Sequence, residues 1–309
     1  MSFKNSIRIL IGRFGYVWRV ALYLLIALVI IGAVGTAVLI PVGVRVFHNE
    51  YFTEEFAALT QIMRDGGSLA DLFEGVREFG RYFFEVVGHS VGSIISLAFF
   101  AVVVVGILSR FLLGLYELPL TEVMESYLTS NAKISFMGRI VASMGRSSKL
   151  VFFKSLFLLA YDIVMVVIVF GALNLLLVHA PSVRFLAEFT AMVLLIGLLA
   201  CRSTLVANWT PLIVVDKIKP HKALGASFGA AFGSFGKLYS NYLVIWVCII
   251  IINYIAAVYT FGAALIITLP LSAVFVKIFN IVYFFNKTNR RYYINGEIFA
   301  PAGEVEIEN

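Results

Sequence analysis

The stretch from Leu238 to Val276 reads LYSNYLVIWVCIIIINYIAAVYTFGAALIITLPLSAVFV, 39 residues without one charged side chain. As a single helix it would extend about 58 Å at 1.5 Å per residue, roughly twice the ~30 Å hydrocarbon core of a bilayer. Two crossings fit that length, and Tyr259 to Gly262 supplies the break between them. A helix that is apolar on every face has to be surrounded by lipid or by a large protein interior. The composition decides which: 61% of the chain is apolar, 14% is charged and the mean hydropathy is +0.96, whereas soluble domains are about 45–50% apolar and about 25% charged. A soluble globule, a disordered chain, a disulfide scaffold and a coiled coil are all excluded. Cys201 and Cys248 each lie inside an apolar run, with neither a disulfide framework nor metal-ligand spacing around them.

Working outward, the same pattern recurs. Arg19 to Arg45 encloses 25 residues without charge, Glu85 to Arg110 encloses 24, and Lys154 to Arg184 is interrupted only by Asp162. A fourth run, from Arg184 to about Ala207, follows the turn residue Pro181 and the N-cap candidate Ser182. The reading is an all-α polytopic membrane bundle of six spans, near 19–44, 86–110, 154–179, 184–207, 238–259 and 262–285, arranged as three hairpins. The first span is longer than the 7–15 apolar residues of a signal peptide and lacks an A-x-A cleavage site, so it is expected to stay in the mature protein.

Charge gives the orientation. On one set of alternate loops, which includes both termini, there are 19 Lys and Arg, against five on the other set. By the positive-inside rule both termini face the cytoplasm. The formal net charge of +6 then follows from insertion, and nucleic acid is not expected as a partner. The opposite loop, 45–85, carries eight acids. It reads as helical, with Ser68 as N-cap, Gly66 and Gly67 as a break, and Leu69, Leu72, Phe73, Val76, Phe79 and Phe83 on one stripe. That helix would lie on the outer interface or cap the bundle, or alternatively act as a ligand lid.

The basic loops repeat. Ser135-Phe136 and Ala142-Ser143-Met144-Gly145-Arg146 precede the third span as Ser227-Phe228 and Gly233-Ser234-Phe235-Gly236-Lys237 precede the fifth, and Pro119 and Pro211 stand equally far upstream. Gly12-Arg13-Phe14-Gly15 is a shorter match before the first span. Segments 115–150 and 216–237 are therefore expected to be cytoplasmic amphipathic helices at the interface. In the second of these Gly225, Gly229 and Gly233 recur every four residues beside Phe228, Phe232 and Phe235, with Gly236 following. Such a small face is expected to pack closely under the bundle, with aromatic groups in the lipid boundary and lysines against anionic headgroups.

Ionisable groups inside a bilayer cost about 2.5–3.5 kcal/mol each at a helix centre on insertion scales, so they need partners or water. If spans three and four turn at Ala180 and Pro181, residue counting sets Asp162 opposite Arg202 and Asn174 opposite Glu188. Such rungs serve either as hairpin glue or as part of a proton, ion or substrate path. Elsewhere the polar pattern carries no chemistry. His48, His89, His179 and His221 are dispersed, and H-E-x-x-H, G-x-S-x-G, Walker and C-x-x-C sequences are absent. No catalytic, cofactor or metal residue is assigned, and the chain is not expected to be an enzyme.

The stretch Asn208-Trp209-Thr210-Pro211-Leu212-Ile213-Val214-Val215-Asp216, then Pro220-His221-Lys222-Ala223-Leu224 and Ser227-Phe228, resembles a pattern in bacterial six-span membrane proteins. It is similar to the YciC-like proteins and to the membrane domain attached to some glycerophosphoryl diester phosphodiesterases, over about residues 200–290. The resemblance implies a bacterial inner or plasma membrane location and a non-catalytic membrane module. It carries over neither phosphodiesterase activity nor any functional residue. The expected function is transport or export across that membrane; the alternative is a non-transporting scaffold or envelope-maintenance factor acting through its cytoplasmic helices. Membrane lipids, a second copy of the chain or another membrane protein are the expected partners.

Overall fold

The computed structural model describes residues 2–47, 50–65, 69–88, 91–132, 134–179 and 184–300. The Ser68 cap, the Gly66–Gly67 break, the turn at 180–182 and the acidic residues Glu304, Glu306 and Glu308 lie outside these. The chain is helical almost throughout: α1 (Ser2–Gly12), α2 (Gly15–Phe47), α3 (Glu50–Arg64), α4 (Leu69–Gly88), α5 (Val91–Phe99), a π-helical stretch (Phe100–Ser109), α6 (Arg110–Gly114), α7 (Glu117–Ser130), α8 (Phe136–His179), α9 (Arg184–Val206), α10 (Trp209–Val214), α11 (Pro220–Phe232), α12 (Phe235–Tyr259) and α13 (Leu265–Lys287). Strands β1 (Tyr292–Ile294) and β2 (Glu297–Phe299) close it as an antiparallel hairpin. Its turn residues Asn295 and Gly296 both have positive φ, 50° and 94°, the conformation that makes Asn-Gly a favoured hairpin turn.

Six helices are long and apolar enough to cross a membrane. The turn between the last two falls after Tyr259, where Phe261 and Gly262 take positive φ. The six pack in cyclic order: α2 on α5 and the π-helical stretch, that rod through α6 on α8, α8 on α9, α9 on α12, α12 on α13, and α13 back on α2. One end of this ring, here called the base, holds α1, α7, α10, α11 and the β-hairpin. The main buried core lies there, built from Ile9, Val17, Leu118, Tyr127, Trp209, Ile213, Val282 and Tyr292 among others. A second cluster, with Tyr242 and Phe279 at its centre, adjoins it between α9, α12 and α13. At the opposite end α3 and α4 pack on one another and against α2, with Phe79 and Phe83 over Val42.

Between those ends the spans have little core. Many of the residues they cover are small, such as Ala27, Gly35, Ser93, Ala187, Ala191 and Ala256, which lets neighbouring helices approach pairwise. From Ser155 to Val178 no residue of α8 is buried.

Two short helices plug the base, and proline creates both. Pro119 and Pro211 are the third residues of α7 and α10. Each lacks an N–H and crowds the carbonyl four residues back, Leu115 or Ala207, and there the rods α5–α6 and α9 end in a turn. The segments beyond are redirected into the core. All six residues of α10 are buried, as are Leu118, Leu120, Val123, Met124, Tyr127 and Leu128 of α7.

This changes the expectation for 115–150. Its α7 part is core rather than surface, since α8, α10, α13 and β1 cover it on several sides, and the remainder is the first part of the 44-residue α8. The repeat is correspondingly partial. Gly12-Arg13-Phe14-Gly15 and Gly233-Ser234-Phe235-Gly236 each form the break between a short helix and a span, whereas Gly145 lies inside α8. Ser135 stands just before α8, and Ser227 lies inside α11.

Candidate functional site

The strongest chemistry in the chain lies where α7 enters the base. Glu117, its first residue, accepts from Lys154 of α8 and pairs with Lys277 of α13 at 2.8 Å. These two lysines come from opposite members of the ring, so the carboxylate sits between them near its axis. The three side chains are 14%, 8% and 11% exposed. Eight residues further along α8, about 12 Å at the helical rise, Asp162 is held by two arginines. Arg110 of α6 donates Nη1 to Oδ2 at 2.7 Å, and Arg202 of α9 brings Nε to 3.2 Å from Oδ1. The Arg202 approach is an ion pair without hydrogen-bond alignment, since Oδ1 receives no hydrogen bond. Together the two clusters hold four cations on two carboxylates.

The anticipated Asp162 and Arg202 rung is thus present as a contact, with Arg110 as a third member that counting along one hairpin could not supply. Arg110 stands nine residues before Pro119 and Arg202 nine before Pro211, so the repeat held the signal. Asn174 and Glu188 do not form the second rung: Asn174 is exposed and no hydrogen bond joins the two. Glu117 is absent from the expected sites because 115–150 reads as an amphipathic helix at the membrane interface, where a carboxylate needs no partner.

Several polar residues of spans three to six join neighbouring helices. Trp246 donates Nε1 to Ser203 Oγ at 2.8 Å, and Tyr161 donates to the Leu198 carbonyl at 2.9 Å. Asn253 is not isolated: it accepts from Thr268 Oγ1 at 2.8 Å and donates to Ser272 Oγ at 3.3 Å, tying α12 to α13. Asn208, at the α9–α10 turn, is fully buried, and neither its Oδ1 nor its Nδ2 has a partner. A third carboxylate, Glu122 of α7, is met by Arg146 at 2.7 Å and Arg139 at 4.0 Å on α8.

In α11 the close face differs from the expected one. A Cβ added at Gly225, Gly229 or Gly236 would meet nothing within 4 Å, and at Gly233 only carbonyls of its own helix. The buried row is Ala223, Ser227 and Ala231. It has the same four-residue spacing on the opposite side, and Ser227 donates to the Leu205 carbonyl of α9 at 2.9 Å. Phe228 packs edge-on against Phe157 of α8, while Phe235 stacks between Phe232 and Tyr239. The glycines thus face outward, and alanine and serine make the approach. Among the described residues no group of three His, Cys, Asp or Glu is placed to hold a metal ion.

No family model, curated protein or solved structure matches the chain.

Proposed function

We propose that this is a transport- or export-related protein of a bacterial cell membrane, with the base and both chain ends in the cytoplasm. The observation that carries it is the ring. Its main core lies at the base, while beyond Asp162 the spans meet chiefly through small residues and no residue of α8 up to Val178 is buried, above a floor of paired charges. Charged groups within spans ordinarily line water or a substrate path, and repeated units related across a bundle are a common transporter plan. The excess of basic residues on the loops at the base supports the orientation. The resemblance of residues 200–290 to YciC-like proteins supports the bacterial membrane.

A second reading has its own support. Every cation of the two clusters is already engaged by a carboxylate, as it would be in a non-transporting scaffold that uses charge as glue. Cysteine accessibility separates the two. In a background lacking Cys201 and Cys248, a Met165→Cys variant places a thiol about one turn beyond Asp162 on α8. Labelling by a membrane-impermeant maleimide in intact cells supports a hydrated path. Full protection there, with labelling only after detergent solubilisation, supports the scaffold.

A further inference from the structure

A cavity of about 460 Å³ lies at the base beside the break between α1 and α2, outside both ion clusters. Its walls are the α1–α2 turn, with Arg13, Gly15, Tyr16 and Arg19, and the start of α8 at Ser135 and Phe136. No acidic residue lines it. Among the described residues neither arginine forms an ion pair; each guanidinium instead rests on an aromatic ring. Arg13 lies 4.0 Å above Tyr127 and donates to Asn131 Oδ1 at 3.4 Å, and Arg19 lies 5.2 Å from the centroid of Tyr16. Stacking fixes the planar fork and leaves N–H edges unused. The first turn of α8 adds partial positive charge, because the Phe136 and Met137 amides precede its first i to i−4 bond, from Arg139 N–H to the Ser135 carbonyl.

The rim indicates what fills such a site. Met137 lines the cavity and is exposed, and Phe14, Trp18 and Val141, close to lining residues in the chain, are large, apolar and exposed as well. Uncompensated guanidinium groups flanked by bare apolar side chains at the foot of a span match a lipid headgroup with its chains alongside. We propose that this cavity binds the phosphate of an anionic phospholipid, Arg13 and Arg19 gripping the phosphate oxygens while the acyl chains lie against Trp18 and α2. The inference goes beyond the transport reading and does not depend on it.

The test uses the purified full chain, delipidated in detergent and titrated with phosphatidylglycerol or phosphatidylcholine under native mass spectrometry. The expected result is a first phosphatidylglycerol molecule bound about tenfold more tightly than phosphatidylcholine. Arg13→Gln with Arg19→Gln should remove that preference, and Lys222→Gln, an exposed cation away from the cavity, should leave it intact. Should the double variant fail to fold, Arg19→Gln alone serves, because Arg19 is exposed, and a loss of preference of severalfold is expected. Competition by millimolar glycerol 3-phosphate at the same arginines would keep the phosphate site but assign it to a soluble ligand. Equal binding of the two lipids by the unmodified protein, or a preference unchanged by the arginine substitutions, overturns the proposal.

Discussion

Replacing Glu117 by glutamine removes the carboxylate that Lys154 and Lys277 share. Both ammonium groups are about nine-tenths buried and contact Glu117 Oε2, so the variant leaves two cations around a neutral amide. Uncovering one partner of a buried pair costs about 3–5 kcal/mol, most of it the penalty of the charge left behind. We therefore expect Glu117→Gln to lower the apparent unfolding temperature in detergent by on the order of 10 °C. Size-exclusion chromatography with fluorescence detection, after heating a fluorescent fusion, measures it. The geometry also requires non-additivity. Lys277→Met alone leaves one lysine on one carboxylate and should cost under about 1.5 kcal/mol. In the Glu117→Gln background it removes one of the stranded cations and should recover part of the loss. A shift below about 2 °C for Glu117→Gln, or losses that simply add in the double variant, would refute the account of this cluster.

Two glycines should respond in opposite directions. At Gly114 an added Cβ would stand 2.9 Å from Val151 Cγ1, so Gly114→Ala is expected to lower thermal stability and to disturb the seam that places Arg110 near Asp162. Gly225→Ala meets nothing within 4 Å and should be neutral or stabilising by up to about 1 kcal/mol through helix propensity; the same thermal assay checks both. Asn208→Leu removes a buried amide with no partner, worth about 1–3 kcal/mol, and should raise the unfolding temperature. A drop would mean that water or another group bonds the amide. Burial raises the pKa of Tyr292 above its ordinary 10.0, although hydrogen bonds with Asn5 and Asn286 work in the opposite direction. Its contribution is complete below pH about 10 and is lost as pH rises through the higher folded value. Unfolding against pH from 8 to 12 should therefore show an alkaline loss that Tyr292→Phe reduces.

The spans were legible because lipid imposes a simple rule: a run of about 20 residues without charge has few other homes. Asp162 and Arg202 could be matched by counting for the same reason, since two helices joined by a short turn share one axial scale. The partners from elsewhere in the chain are harder to find: only the repeat, through its matching distance from Pro119, points to Arg110, and nothing local to Glu117 announces Lys277. Composition hides the burial of α7. With Glu117, Glu122 and Glu125 among its 14 residues it resembles a solvated helix, yet its neighbours supply the cations that let it be buried. The glycine row of α11 misled in another way, since spacing identifies a face of small residues without saying whether it or the alanine and serine row opposite meets the bundle.

The contact between α1 and α13 has a consequence for biogenesis. Asn5 donates to Tyr292 at 2.8 Å, and Asn286 donates to Ser2 Oγ at 2.8 Å, so a helix made before the six spans finds its partners among residues made after them. Until α13 has been delivered, α1 has no wall to rest on and Lys277 is missing from the floor. The six spans can therefore enter the bilayer one after another, but the ring can lock only when its last member arrives.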